Sequence, residues 1–253
     1  MGQYRMVCCE SFVAPSSAKL GHKRSRRVGG KVGDQVATRP SPWPLRRAVA
    51  LTVAAGSVGW IQHEFTVRAG WRFPSGGALV GEVAWNLATI ALAGWALWHY
   101  DGQRLTLRTT GFRGSDRSRE SPFPWAAAIA VAVAAMAISL LVGNSATSGS
   151  SYGTAHTVSM WVVGGEVVLR YPLTVFAEET LFRGILQPRL GRYGPVLAAV
   201  CWGCYHLQQA STIPQLIAFG IGLGYLRWRT GSVRVTGIAH YLGDAIFFVL
   251  TYA

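Results

Sequence analysis

A succession of long apolar runs is the feature that most constrains how this chain folds. The runs cover about residues 48–65, 79–98, 124–142, 158–186, 195–208, 215–228 and 235–252. Most of them approach the length of about 20 residues that a membrane-spanning helix needs. Half of the 253 residues are hydrophobic and 14% are charged, whereas soluble domains contain roughly 25% charged residues. We therefore predict an all-α, polytopic membrane bundle of about seven transmembrane helices.

The distribution of Lys and Arg between the connecting segments predicts the orientation of this bundle. Basic segments alternate with segments that carry few or no basic residues. The basic ones are the N-terminal tail, 99–122, 187–194 and 227–234, and the others are 66–78, 143–157 and 208–214. Basic segments stay on the cytosolic side of a membrane. We expect an integral membrane protein with a cytosolic N-terminus, and seven spans fit the alternation.

The N-terminal tail, residues 1–46, differs in composition from the rest of the chain. It is rich in Pro, Ser, Gly and basic residues, and it holds much of the net charge of +13. Such a composition is typical of a disordered segment, and its position beside a membrane helix indicates contact with anionic lipid. The basic cluster has no interleaved aromatic pattern, so no nucleic-acid partner is expected. Residues 47–253 are predicted to form the transmembrane domain.

Two adjacent carboxylates, Glu178 and Glu179, lie within the fourth apolar run. Ionisable groups inside a membrane are costly and are interpreted as functional by default. On a helix, Glu179 and Arg183 are four residues apart and can pair, whereas Glu178 is turned away from Glu179 by roughly 100°. We therefore expect one structural carboxylate, Glu179, and one free carboxylate, Glu178, that can act as a general base.

Two downstream motifs bring further titratable residues to the same depth. His206 ends the motif that begins at Trp202, and His240 and Asp244 are four residues apart on one helical face. A rise of ~1.5 Å per residue places Glu178, His206 and His240 in the cytosolic half of a bilayer core about 30 Å thick. A lone histidine on an apolar face is usually a core residue, but two beside an unpaired glutamate indicate a site. Trp202 lies one turn before His206 and is expected to wall the pocket.

Other polar residues of the apolar runs receive structural interpretations. Glu166 and Arg170 are four residues apart in the favourable order and are predicted to form an ion pair. Cys201 and Cys204 have the spacing of a zinc or redox pair. Because both lie in an apolar helix without a second such motif, they are interpreted as small buried side chains.

Together the three motifs resemble those of the CPBP family, the CAAX-protease and bacteriocin-processing family also called Abi, which includes the Ras-converting CAAX endopeptidase. The resemblance rests on E-E-x-x-x-R, aromatic-x-x-x-His and H-x-x-x-(Asn/Asp) in this order, and on the Gly-rich run from Phe219 with its basic Thr-Gly-Ser turn. It covers about residues 156–253, which are expected to form the catalytic core. It also implies a bacterial plasma-membrane protein.

The resemblance implies an intramembrane endopeptidase that acts on a peptide or a membrane protein. In such a site, Glu178 and His206 would activate the attacking water, and His240 and Asp244 would hold the oxyanion that forms on the scissile carbonyl. The residues implied to support this site are Glu179, Arg183 and Trp202.

The chain departs from the common pattern of the family at two positions. Trp202 stands where Phe is more frequent, which changes bulk rather than chemistry. Asp244 stands where Asn is more frequent, and because an ionised carboxylate cannot donate to an oxyanion, Asp244 would have to be protonated. Alternatively, Glu178, His206, His240 and Asp244 are acceptable ligands for a divalent metal such as Zn²⁺. The presence of Asp244 in place of Asn slightly favours metal binding over an oxyanion-binding role.

Two other functions are compatible with parts of the pattern. A non-catalytic family member could serve as a membrane immunity or regulatory protein, but such a member is expected to lose at least one catalytic position, and all are occupied here. A small transporter could use Glu178 and Arg183 in a proton pathway. Inverted repeats would support a transporter, and the sequence shows none.

Overall fold

The computed structural model describes residues 40–70, 76–113, 123–142 and 160–252. These residues are mostly helical, and no β-strand occurs among them. The predicted all-α class is therefore confirmed for this part of the chain. The predicted tail up to residue 39 and the connecting segment 143–157 lie outside the described residues, so their interpretation stays a prediction.

Seven helices occur in the described residues, in agreement with the number of apolar runs. They are α1 (Leu45–Arg68), α2 (Gly76–Asp101), α3 (Phe123–Val142), α4 (160–189), α5 (Gly194–Tyr205), α6 (Ile213–Thr230) and α7 (Val233–Tyr252). Short 3₁₀ segments precede α5 and α6, at Gly191–Tyr193 and Leu207–Thr212. By length and composition, one helix in the described part of the chain, Gly77–Asp101, is suited to cross a membrane.

Helix α4 contains two π-helical segments. Glu166–Arg170 and Glu179–Leu186 are π-helical, a wider form with i→i+5 hydrogen bonds that is rare and frequent at functional sites. Pro172 follows the first π segment, at the second residue of the α-helical stretch Tyr171–Glu178, and donates no backbone hydrogen bond. The second π segment begins directly after Glu178, so it changes the direction of the side chains that follow this carboxylate.

Glycines of α6 allow a close approach to α5 and the end of α4. A Cβ atom at Gly220 would lie 2.9 Å from Cε3 of Trp202, and one at Gly224 would lie 2.8 Å from the carbonyl oxygen of Pro195. The amide of Gln187, in α4, donates to the carbonyl oxygen of Gly224 at 2.7 Å. The Gly-rich run of α6 is thus the surface against which the neighbouring helices pack.

The end of α2 and the loop that follows it contact α4 from another side. Asp101, the last residue of α2, lies 2.6 Å from Nη2 of Arg189 at the end of α4. Thr110 packs directly on Gly184, where an added Cβ atom would lie 2.7 Å from the Thr110 carbonyl oxygen. The second π segment of α4 is therefore held between this loop and the helices α5 and α7.

Two local predictions are wrong. The apolar run predicts a helix as far as residue 208, but α5 ends at Tyr205. Nδ1 of His206 contacts the carbonyl oxygen of Trp202 at 2.9 Å, and a side chain that takes this acceptor competes with the next backbone hydrogen bond of the helix. Cys201 is buried as predicted, whereas Cys204 is exposed.

Candidate active site

Glu178 lies at the centre of a buried polar cluster, and 2% of its surface is exposed. Its Oε2 accepts a hydrogen bond from the indole N–H of Trp202 at 2.5 Å. Nε2 of His206 lies 3.4 Å from Oε1, and Nε2 of His240 lies 3.7 Å from Oε2. Side chains from α4, from the end of α5 and from α7 thus meet around one carboxylate.

Glu179 faces a different set of partners. Its Oε1 lies 3.4 Å from Nη1 of Arg183 and 3.0 Å from Nδ1 of His240. Its Oε2 accepts a hydrogen bond from the hydroxyl of Thr236 at 2.6 Å. The predicted pair of Glu179 and Arg183 is therefore present in the structure. Because Glu179 is fully buried, these partners compensate its charge, and the carboxylate in turn orients the His240 ring.

His206 occupies the first position beyond α5, with φ and ψ of −94° and 44°. Its Nδ1 faces the carbonyl oxygen of Trp202, which can only accept, so Nδ1 carries the proton of this hydrogen bond. Nε2 is then directed at Oε1 of Glu178. A water molecule near both atoms could donate one hydrogen to the carboxylate and the other to the imidazole.

His240 is oriented by contacts at both ring nitrogens. Nδ1 donates to Glu179, while Nε2 lies 3.4 Å from Oδ2 of Asp244 in addition to its contact with Glu178. The Asp244 side chain is 28% exposed, against 2% for His240. The described cluster is therefore most open on the side of Asp244.

Trp202 lies between the two histidines. Its ring stands edge-to-face to both, with centroids 5.3 Å from His206 and 5.1 Å from His240. The guanidinium carbon of Arg183 lies 4.5 Å from the centre of the indole, within the range of a cation–π contact. The hydrogen bond of Trp202 to Glu178 is a contact that sequence reasoning missed.

Two further residues of the cluster were not predicted. Thr236 lies one turn before His240, and the four-residue spacing on one helix face could have indicated it. Trp85 of α2 lies against His206, with ring centroids 6.0 Å apart. No spacing rule connects two residues on helices so distant in sequence, so Trp85 carried no usable signal.

A second buried charge cluster lies further towards the start of α4. Arg170 pairs with Glu166, as predicted, and Nη1 of Arg170 also lies 3.4 Å from Oε2 of Glu82 in α2. One turn along, the amide of Asn86 donates to the hydroxyl of Thr174 at 2.9 Å. These contacts connect α2 and α4 along the turns that lead to Glu178.

The candidate metal ligands do not form a metal site in this structure. Among the described residues, no group of three His, Cys, Asp or Glu side chains is arranged to hold an ion. The Nε2 atoms of both histidines face the Glu178 carboxylate directly, and Oε2 of that carboxylate already accepts the indole N–H. The four predicted ligands are Glu178, His206, His240 and Asp244.

Part of the chain matches the model of a known protein family. Residues 160–246 match the model of the family described as type II CAAX prenyl endopeptidase Rce1-like. This segment, which is less than half of the 253 residues, is similar to the Rce1-like family. The finding agrees with the CAAX-protease resemblance of the three motifs and supports a peptidase type of chemistry.

One relative of the chain is described without an activity. The chain is 36% identical over 80 residues to a protein of Bacillus subtilis (strain 168) described as uncharacterized protein YpbD. The match covers 30% of this chain and 40% of YpbD, so the chain spans less than half of that relative. No solved structure gives a significant match.

All the site residues predicted from the sequence lie within the Rce1-like segment. They are Glu178, Glu179, Arg183, Trp202, His206, His240 and Asp244. Trp85 and Glu82, which the structure adds to the surroundings of the site, belong to α2 and lie outside that segment.

Proposed function

We propose that the protein is an intramembrane endopeptidase that hydrolyses a peptide bond with Glu178 as the general base. The observation that carries this proposal is the position of Glu178, whose two carboxylate oxygens face Nε2 of His206 and of His240 in a buried cluster. The similarity of residues 160–246 to the Rce1-like family supports peptide hydrolysis as the reaction. Buried groups in such an arrangement can activate water and stabilise developing charge.

The first step is the attack of water on the scissile carbonyl. A water molecule close to Oε1 of Glu178 and Nε2 of His206 transfers a proton to Glu178 while its oxygen bonds to the carbonyl carbon. The C=O double bond becomes a single bond and its oxygen takes the negative charge. Glu178 then gives the proton to the nitrogen of the leaving amine. The oxyanion re-forms the C=O double bond as the C–N bond breaks, which leaves a carboxylic acid, a free amine and the regenerated carboxylate of Glu178.

His240 and Asp244 stabilise the oxyanion in this proposal. Nδ1 of His240 donates to Glu179, so His240 must carry both ring protons for Nε2 to donate to the oxyanion as well. The nearby carboxylates compensate the positive charge of such an imidazolium. Asp244, 3.4 Å from Nε2, contributes a second donor in its protonated form.

Membrane embedding is part of the proposal. Large apolar side chains are exposed on helices throughout the described residues, for example Trp161 (91%), Leu169 (70%), Val80 (67%), Trp98 (65%) and Ile61 (64%). Soluble monomers rarely expose extended apolar surface, so lipid is the proposed solvent of these faces. We propose a bacterial plasma-membrane protein with a cytosolic N-terminus, whose substrates enter from the cytosol or the bilayer.

The test is cleavage of two internally quenched peptides by the full chain in mild detergent. Both end in a Cys-aliphatic-aliphatic-X sequence, one with a farnesylated cysteine, as the family description suggests, and one unmodified. We expect cleavage of at least one peptide and a loss of about 100- to 10,000-fold in His206→Gln. His63→Gln, on α1, is the matched control and should cleave at the parent rate.

The outcomes separate an enzyme from a non-catalytic family member. Cleavage by the parent and by His63→Gln but not by His206→Gln supports the proposal, and the preferred peptide shows whether a prenyl group is recognised. Equal cleavage by His206→Gln and the parent contradicts the assigned role of the histidine. Absence of cleavage of both peptides by the folded parent favours the immunity or regulatory alternative.

A further inference from the structure

The α1–α2 hairpin lies outside the Rce1-like segment, yet it reaches the surroundings of His206. His206 lies between the end of α5 and the 3₁₀ segment Leu207–Thr212, and its backbone is hydrogen-bonded to Gly203 and Gln209. The hydrogen bond from Nδ1 to the Trp202 carbonyl holds one point of the ring and still allows the ring to turn about that contact. The distance from Nε2 to Glu178 therefore depends on what packs against the ring.

Three aromatic side chains surround the imidazole of His206. The centroids of Tyr205 and Trp202 lie 5.0 Å and 5.3 Å from the centroid of the imidazole, both nearly perpendicular to it. The third ring, Trp85, lies at 6.0 Å with an interplanar angle of 75°. Tyr205 and Trp202 belong to α5 and move with it, whereas Trp85 belongs to α2. Trp85 can therefore hold the histidine against a separate part of the fold.

Trp85 is itself firmly held. It is 4% exposed, and its indole N–H donates to the carbonyl oxygen of Ala55 in α1 at 3.1 Å. Gly59 of α1 lies directly against the indole and leaves no room for a Cβ atom. On the other side, the indole stacks on Tyr205, with centroids 4.6 Å apart and an interplanar angle of 26°.

The residue before His206 is fixed by the same two helices. The hydroxyl of Tyr205 shares a hydrogen bond of 3.1 Å with the hydroxyl of Thr89 in α2. A Cβ atom at Gly56 of α1 would lie 3.2 Å from the carbonyl oxygen of Tyr205, so the α1 backbone packs closely on this peptide. Helices α1 and α2 thus constrain both the side chain and the backbone that lead into His206.

We propose that Trp85 is a positioning residue for His206, and that the α1–α2 hairpin completes an active site whose reacting groups all lie in the Rce1-like segment. This inference rests on the proposed peptidase function. The contact of the indole with the imidazole, together with its anchor on Ala55, keeps Nε2 of His206 directed at Oε1 of Glu178. Small displacements of a catalytic group lower the rate of the chemical step more than they weaken substrate binding.

The kinetic test uses Trp85→Leu in the full chain, with the better of the two quenched peptides as substrate. We expect kcat to fall by about 10- to 100-fold while KM stays near the parent value. Trp85→Phe retains an aromatic ring against His206 and should recover part of the rate. Trp98→Leu, an exposed tryptophan on the same helix, is the control and should match the parent.

A spectroscopic test follows the histidine itself. With ¹³C-labelled histidine rings, the His206 signal is assigned by its loss in His206→Gln. We expect Trp85→Leu to shift this signal, because a neighbouring ring current is lost, and expect Trp98→Leu to leave it in place. A merely structural role of Trp85 would lower the thermal stability without moving the signal or changing kcat in the folded protein.

The outcomes distinguish this inference from the proposed function. If His206→Gln abolishes cleavage while Trp85→Leu keeps the parent kcat and the parent signal, the positioning role is wrong and the peptidase assignment stands. If His206→Gln itself cleaves normally, the proposed function is wrong. If Trp85→Leu does not fold, Gly56→Ala replaces it in the test. The added Cβ atom presses on the Tyr205 carbonyl and is expected to lower kcat. An unchanged kcat in Gly56→Ala contradicts the inference.

Discussion

Replacement of Thr236 by valine removes one hydroxyl beneath the candidate site. This hydroxyl lies 2.6 Å from Oε2 of Glu179 and 2.9 Å from the carbonyl oxygen of Val233, and neither Thr236 nor Glu179 is exposed. Its single proton is donated to the carboxylate, which is the closer acceptor and carries the charge. Since the acceptor is a buried carboxylate, the bond is charge-assisted and contributes about 1.5–3 kcal/mol to stability. Valine has nearly the same shape and leaves no cavity. We therefore expect Thr236→Val to lower the free energy of unfolding by about 1.5–3 kcal/mol.

The same change should reach the chemistry through His240. Glu179 also accepts the Nδ1–H of His240 at 3.0 Å, so a carboxylate that loses one anchor holds the imidazole less firmly. If the whole hydrogen-bond free energy were lost from the transition state, kcat would fall about 10- to 160-fold. This is an upper limit, because Arg183 still lies 3.4 Å from Oε1 of Glu179.

The assay for this prediction combines equilibrium unfolding in detergent with peptide cleavage. Thr236→Ser is the matched control: it retains the hydroxyl and loses one methyl group, at a cost of about 1 kcal/mol. The expected order of kcat is parent, Thr236→Ser, Thr236→Val. If Thr236→Val is as stable and as active as Thr236→Ser, the hydroxyl does not hold Glu179 and the reasoning is refuted.

Two other substitutions test the site and its support. Asp244→Asn should keep or raise kcat, because an amide donates a hydrogen bond without first taking up a proton. Asp244→Ala should lower kcat by about 100-fold. Equal losses of kcat in both variants would show that the carboxylate itself is required. Gly184→Ala places a Cβ atom 2.7 Å from the Thr110 carbonyl oxygen and should destabilise the fold by about 1–3 kcal/mol in thermal unfolding. Gly94→Ala, whose Cβ atom would meet its nearest neighbour at an ordinary 3.7 Å, is the control, and equal stability of the two variants would contradict the described packing.

The helices and the convergence of the three motifs follow from the sequence. Apolar runs gave the number of helices, and four-residue spacing paired Glu179 with Arg183 and Glu166 with Arg170. These contacts are local, so helical periodicity suffices to predict them. Both His206 and His240 contact Glu178 in the structure, whereas their common depth in a bilayer stays a prediction.

The remaining features depend on interactions that a periodic pattern does not contain. The end of α5 at Tyr205 results from a side-chain hydrogen bond of His206 to its own helix, in a stretch without proline or a capping residue. The π segment after Glu178 has no signal in the apolar pattern, because the runs predict only helix and not its hydrogen-bonding form. Trp85 reaches His206 only because α1 and α2 fold back onto the end of α5.

The measurement that tests the central claim most directly is the cleavage rate of Glu178→Gln. The glutamine carbonyl can still accept the Trp202 N–H, so the fold is expected to remain intact while the general base is lost. Glu64→Gln, on the exposed surface of α1, controls for the loss of a carboxylate. The proposed mechanism predicts a decrease in kcat of about 100- to 10,000-fold in Glu178→Gln and no change in Glu64→Gln. A folded Glu178→Gln protein that cleaves the same peptide at the parent rate would contradict the mechanism.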